Sequence, residues 1–371
     1  MANIFDYLQW RGDLPFNKSP FNPVDNIILS QLSYLTFDGI VPGPKDKCGI
    51  SIDLAVRLYN EKLKEPGFKL TSIFKQNPDL IRALGASRRF GNCQLFGFVN
   101  HFDTDIEIQF TGLCIHTDDD YCFVSYRGTD ASMVGWKEDF NMSFKEVIPS
   151  QIEAVNYLNK MAPQIEGKLR IGGHSKGGNL AIYAASFCKK IIQKRISVIY
   201  NNDAPGFHES VITSNGYNAI KDRIVSFVPQ SSVIGMFLEH GENLTVIKSS
   251  EIGLAQHNLF SWKVTYNDLV RAEKSTIGSR FVNKSIREWL NSIEKAQREQ
   301  FIEALYHILT SAEIKSTADL EDSMFKSVGR VLKSLSKVEE SKRKMIGDTF
   351  RVLFRTAGRN AEAFIKEKLG E

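Results

Sequence analysis

Apolar positions along the chain fall into three successive regimes. In the first ninety residues they recur at helical spacing, at Asn26–Leu35 after the turn-like Pro20-Phe21-Asn22-Pro23 and again near Ile52–Leu63. Pro42-Gly43-Pro44 and Pro66-Gly67 punctuate between elements. From about residue 93 the pattern turns β-rich. Gln94–His101, Ile106–Ile115 and Tyr121–Tyr126 read as strands separated by turns around Asp103 and at Asp118-Asp119-Asp120, which predicts an antiparallel opening to a sheet. The pattern then alternates. A helix at Gln151–Met161 leads to a strand at 167–172, a helix at 178–192, the strand Ile196–Tyr200, a helical or loop crossover at 208–220, and the strands Arg223–Val228 and Leu244–Ile247. Alternation of this kind predicts a mostly parallel central sheet with helices on both faces. From about 267 onward the spacing is helical again, at Ile286–Glu299, Phe301–Thr310, Leu320–Leu335 and Glu339–Leu369. The expected organisation is a helical and loop-rich segment at 1–90 packing on a core at 91–266, followed by a helical region at 267–371.

Composition narrows the classes. With 371 residues, 42% hydrophobic and 24% charged, the chain can bury a large core and reads as globular. A net charge of +4 is small for this length and leaves no nucleic-acid footprint. The five cysteines are scattered without a C-x-x-C pair, which points to buried thiols in a reducing compartment rather than a disulfide frame or a zinc site. The first residues lack a basic region followed by a long apolar run, so no signal peptide is expected, and no apolar stretch approaches ~18 residues. The expectation is a cytoplasmic protein. Lys342, Arg343, Lys344, Arg351, Arg355 and Arg359 lie on the last helical stretch, as a solvated face or as a basic surface for peripheral contact with an anionic membrane or a partner.

The densest chemical signal is Ile171-Gly172-Gly173-His174-Ser175-Lys176-Gly177-Gly178. It contains a G-x-S-x-G pentapeptide between a strand and a helix, the setting in which a serine is raised on a sharp turn. Small residues at 173 and 177 are needed because a side chain there would collide with the neighbouring strand or helix. The N–H of Lys176 at the helix start can face a developing oxyanion. A nucleophilic serine also needs a base, an orienting acid and a second oxyanion donor. His257, in Gln256-His257-Asn258 beyond the last strand, has the expected place for the base, whereas His101, His116, His174, His208 and His240 fit the chain order less well. Asp203 closes a strand in Asn202-Asp203-Ala204-Pro205-Gly206. The usual position for the acid, one strand later, reads Val228-Pro229-Gln230-Ser231-Ser232-Val233 with no carboxylate, which favours Asp203, with Glu251 and Asp222 as fallbacks. Thr129, in Tyr126-Arg127-Gly128-Thr129-Asp130, can add an N–H and a hydroxyl to the oxyanion site. Each of these also has a plainer reading as a turn or surface residue.

Together these segments resemble the class 3 (fungal-type) lipases, which have a strand ending in an aromatic-Arg-Gly-Ser/Thr loop, then Trp and Asp, then Gly-His-Ser-Leu-Gly-Gly. This chain has Tyr126-Arg127-Gly128-Thr129, Trp136, Asp139, and Gly173-His174-Ser175-Lys176-Gly177-Gly178. The whole chain is similar to a bacterial, Mbeg-like branch of lipase-like hydrolases. The opening Asp6-Tyr7-Leu8 and Trp10-Arg11-Gly12-Asp13, Phe21-Asn22 with Asp25, and His257 before Phe260-Ser261-Trp262 carry that similarity. The resemblance implies an α/β-hydrolase fold, Ser175 as nucleophile and Thr129 in the oxyanion hole, and it supports hydrolase chemistry more than any substrate; the leading expectation is a carboxylic ester, acyl-lipid-like, cleaved with no cofactor or metal. Lys176 departs from the common Leu, either as a cation favouring an anionic or phosphorylated substrate or as a solvated side chain. A hydrolase scaffold used only for binding, or a thioesterase or acyltransferase, are the alternatives the sequence leaves open.

Overall fold

The computed structural model describes residues 2–46, 48–65, 74–130, 132–273, the helix Lys295–Ser311 and isolated positions between 284 and 355. Its main sheet has eight strands in chain order: β1 Ile50–Ser51, β2 Gln94–Asp103, β3 Ile108–His116, β4 Tyr121–Tyr126, β5 Lys168–His174, β6 Ile196–Asn202, β7 Ile224–Pro229 and β8 Leu244–Ile247. Strands β1 to β4 pair antiparallel and β4 to β8 pair parallel. This mixed sheet with its flanking helices is an α/β-hydrolase fold.

The strand order explains how the two faces are covered. Strands β4 to β8 are added in one direction, and right-handed crossovers made in one direction put their connecting helices on one side of the sheet. Accordingly α6 (Pro149–Met161) and α7 (Lys176–Phe187) share one core with Cys122, Val124, Tyr126, Ile171 and Ile199. The opposite face would be left open. It is closed by the N-terminal segment, with α1 (Ile4–Arg11), α2 (Pro23–Leu32), α3 (Ile52–Lys62) and α4 (Asn77–Ala86), whose Val24, Ile27, Ile28 and Leu84 pack with Phe123, Tyr200 and Phe227. The alternation along β4 shows the division: Cys122 and Val124 face α6 and α7, while Phe123 faces α2 and Ser125 donates to the Leu29 carbonyl (3.1 Å). The remaining helix of the core, α5 (Met133–Asn141), follows β4.

Polar groups fix the N-terminal layer. Arg89 and Asp25 form a fully buried pair (2.5 Å), with the Tyr7 hydroxyl donating to Asp25 (2.7 Å) and Arg89 also donating to the Leu14 and Ser19 carbonyls. Asn26 on α2 exchanges amide hydrogen bonds with Asn202 at the end of β6 (2.8 and 3.1 Å).

Several elements differ from their sequence expectation. The helix expected at 178–192 ends at Phe187; Cys188 turns extended, and a separate turn, Lys190–Gln193, begins where the Lys189 N–H is held by Asn159. The segment before residue 90 contributes β1 to the sheet, and a small hairpin, Val264–Thr265 with Asp268–Leu269, carries the core past residue 266. The helix Lys295–Ser311 runs without a break where two helices are expected. The stretch Leu320–Leu335 and most of Glu339–Leu369 lie outside the described residues. Among the described residues no helix is long and apolar enough to cross a membrane.

Candidate active site

Register brings the candidate residues to one edge. Tyr126 pairs with Gly173, His174 with Asn202 and Asn202 with Phe227, so β4, β5, β6 and β7 end together and their following loops rise side by side. Loops at the carboxyl ends of parallel strands are where such sheets bind ligands.

Ser175 caps α7 with φ +56° and ψ −137°, a conformation costing on the order of 1–3 kcal/mol for a non-glycine residue. The turn is over-determined. The Ser175 N–H donates to the Asn202 carbonyl (3.0 Å), and the Gly178 N–H donates to the Ser175 carbonyl (2.9 Å). A Cβ on Gly173 would strike the Gly177 carbonyl, and one on Gly177 the Tyr126 carbonyl, so the pentapeptide's glycines are demanded by close approach of backbone. The Thr129 loop lies against the serine: a Cβ built on Gly128 would sit 3.0 Å from the Ser175 Cβ.

Through His174 the turn reaches a second pair of candidates. His257, at the end of a 3₁₀ turn Gly253–His257, holds its Nδ1 2.6 Å from Asp203 Oδ2. The second oxygen, Asp203 Oδ1, accepts the Ser232 hydroxyl (2.5 Å), and Ser232 Oγ in turn accepts the Gly235 N–H (3.0 Å). Gln256 anchors the turn, its Oε1 accepting the Ser231 N–H (2.8 Å) and its carbonyl accepting the Trp262 indole N–H (2.9 Å). His174, the residue before the serine, is fully buried beneath this arrangement. Its ring lies 4.4 Å from that of His257, centroid to centroid, and its Nε2 donates to the His257 carbonyl (2.7 Å). Burial pushes the His174 imidazole well below the usual histidine range, with His257 adding to the shift. A neutral ring that donates from Nε2 accepts at Nδ1, where the Tyr34 hydroxyl sits at 3.0 Å.

The Thr129 side of the serine turn is built differently. The Thr129 hydroxyl lies 2.6 Å from Asp139 Oδ2, on α5. Asp139 Oδ1 is enclosed with no hydrogen-bond partner among the described residues. Burial pushes the Asp139 carboxyl up to about 6, against the pull of Lys176 and of the Thr129 hydroxyl. The Lys176 N–H is one of the first four of α7, which have no acceptor within the helix. Its side chain corrects the sequence expectation. It points neither to a substrate nor to solvent; it is buried, with Nζ 2.7 Å from Glu138 Oε2 and within 3.0 and 3.2 Å of the Gln109 carbonyl and Oε1. Glu138, also fully buried, accepts the Ser150 N–H (2.9 Å) with its other oxygen. The cation therefore pins α5 to α7 and β3.

The matched family model spans residues 84–307 and carries the description Mbeg1-like. The chain belongs to the Mbeg1-like family. Among curated proteins none matches the sequence. Solved structures similar to this Mbeg1-like chain include lipases. The M37 lipase shares 16% identity at a TM-score of 0.35, over 57% of this chain and 68% of that one. A Rhizopus microsporus var. chinensis lipase shares 15% at 0.35, over 63% and 82%. The Rhizomucor miehei lipase in its propeptide complex shares 14% at 0.31, over 43% and 57%.

Of the residues expected from the sequence, Asp203 and His257 are brought into contact, and Ser175 and Thr129 flank the same edge. The fallback Asp222 sits in a 3₁₀ turn at the opposite, entering end of β7, and Glu251 offers its carbonyl to Gln256. Sequence reasoning missed Ser232, Gln256, Glu138 and the supporting role of His174. Ser232 occupies the loop where a carboxylate is usual, and the missing carboxylate was the one available signal.

Proposed function

We propose that this Mbeg1-like chain is a serine hydrolase of carboxylic esters, acting on acyl-lipid-like substrates. The observation that carries the reading is the 2.6 Å contact between Asp203 and His257, made across 54 positions of sequence and packed against His174, the residue before a serine held at positive φ. With Nδ1–H donated to Asp203, the imidazole offers its Nε2 lone pair to the Ser175 hydroxyl. Ser175 Oγ attacks the ester carbonyl as His257 takes its proton. The N–H groups of Lys176 and Thr129 hold the tetrahedral oxyanion. His257 then protonates the departing alcohol, leaving an acyl-serine that water cleaves with His257 as base.

The rim supports an apolar substrate. Trp136 and Phe140 on α5, Ile234 beside the Ser232 loop, and Ile252 and Leu254 on the His257 turn are all exposed large apolar side chains on elements that carry or abut the site. Five free cysteines, four of them buried, suit a reducing compartment such as the cytoplasm. Peripheral membrane contact through the basic C-terminal stretch is a separate expectation, read by liposome sedimentation with and without residues 267–371.

Activity-based labelling tests the proposal. A fluorophosphonate probe is expected to modify wild-type protein on the peptide containing Ser175, and p-nitrophenyl esters to be cleaved. Ser175→Ala is expected to lose both. Labelling that survives the substitution overturns the nucleophile; a folded wild type that neither labels nor hydrolyses any acyl ester leaves the binding scaffold as the reading.

A further inference from the structure

Thr129 has one hydroxyl proton and two claimants for it. A hydroxyl donates once and accepts twice, and an ionised carboxylate only accepts. With Asp139 ionised, the 2.6 Å contact must be Thr129 Oγ1–H donating to Oδ2, which leaves only oxygen lone pairs on Thr129 Oγ1 to face an oxyanion. With Asp139 protonated, the same contact is satisfied in reverse: Oδ2–H donates to Oγ1, and the hydroxyl proton is free to turn toward the oxyanion. The heavy-atom geometry is the same in both states.

Resting on the serine-hydrolase reading, we propose that Asp139 is a positioning residue whose protonation state decides whether the Thr129 hydroxyl serves as an oxyanion donor. The surroundings favour the neutral acid. Asp139 Oδ1 is buried with no donor to satisfy it among the described residues, whereas an ionised carboxylate in such a place normally gathers several. Asp203, by contrast, has a partner on each oxygen.

The charged and titratable groups facing Asp139 come from every side. Lys176 on α7 favours the ionised form, but its ammonium is already committed to Glu138 and Gln109. Glu138, on the same helix as Asp139, opposes ionisation. His257 favours it when charged, and the Tyr34 phenol lies within electrostatic reach. A carboxyl brought up to about 6 changes state in the range where enzymes are ordinarily assayed. The Thr129 donor is then present at low pH and withdrawn as pH rises through that value.

The test is the rate of fluorophosphonate modification of Ser175, which also places a phosphoryl oxygen in the oxyanion site and needs no knowledge of the natural substrate. The rate constant is measured from pH 5 to 8 for wild type, Asp139→Asn and Thr129→Val, with the modified peptide verified by mass spectrometry. Thr129→Val keeps both Asp139 and His257, so the wild-type to Thr129→Val ratio isolates the hydroxyl. An amide does not titrate, so whichever way the new carboxamide faces, the Asp139→Asn to wild-type ratio is expected to rise about tenfold or more across the range, as expected for loss of one oxyanion donor. The wild-type to Thr129→Val ratio is expected to fall by a similar factor, which keeps the test intact if Asp139→Asn does not fold. In the double variant the Asp139→Asn effect disappears. Ratios flat with pH overturn the inference and reduce the hydroxyl to a loop anchor. Absence of any label on Ser175 overturns the underlying hydrolase reading instead.

Discussion

The two flanks of Ser175 are held by opposite strategies. The flank proposed to supply base and acid is a closed hydrogen-bond chain: the Gly235 N–H donates to Ser232, the Ser232 hydroxyl and His257 Nδ1 both donate to Asp203, and His174 Nε2 donates to the His257 carbonyl. Every link is short, and the groups come from four different loops and strand ends. The flank proposed to hold the oxyanion hangs from a single helix. Helix α5 supplies Asp139 to Thr129 and Glu138 to Lys176, and it leaves one carboxylate oxygen unmet among the described residues. A satisfied chain fixes one geometry and one tautomer. An unsatisfied carboxyl keeps two proton arrangements within reach. On the proposed reading, orientation of the base is built in permanently, whereas one oxyanion donor, the Thr129 hydroxyl, is conditional on the state of Asp139.

Breaking the closed flank is expected to have the largest effect. Asp203→Asn lets the imidazole take the wrong tautomer, and turnover on a p-nitrophenyl ester should fall by about 10³–10⁴ with little change in melting temperature. An unimpaired Asp203→Asn enzyme would move the acid elsewhere. On the open flank, Lys176→Met strands Glu138 without its cation and should cost about 3–5 kcal/mol in denaturant unfolding. The double change Lys176→Met with Glu138→Gln should recover most of that loss, because it removes the uncompensated buried charge while the amide oxygen can still accept the Ser150 N–H. No recovery would mean that the Lys176 ammonium is needed for its contacts with Gln109 as well. The smallest effect is expected at the outer side of α5. There Lys137 binds Glu107 (2.7 Å) and the half-exposed Glu303 of the C-terminal helix (2.9 Å), so Glu303→Ala should cost no more than about 1 kcal/mol. A larger loss would make the C-terminal helix a principal support of the oxyanion flank.

What could be read from the chain follows the same division. The elbow was legible because its chemistry is local: a strand, two obligatory glycines and a helix within a dozen residues. The meeting of His257 and Asp203 was legible because chain order limits which loops of such a sheet can hold a candidate base and acid. The Lys176 side chain was not. Its partner Glu138 lies 38 positions away on a helix that shows only mixed polarity, and nothing local distinguishes a buried lysine from a solvated one. Ser232 was visible only as the place where a carboxylate was missing; the hydroxyl there completes the acid's second oxygen. The role of residues 1–90 as one whole layer was also hidden. It depends on all the crossovers falling on the far face, a property of handedness rather than of any segment's own pattern.

That layer sets a rule for anyone shortening the gene. The recognisable family portion begins at residue 84, yet a fragment started there would keep Arg89 and discard Asp25, and would strip α2 from beneath β4 and β5. Asn202, one step before Asp203, would lose both Asn26 and Ser30. Such a fragment is expected to be insoluble on expression, so the boundary found by likeness is not a boundary of folding.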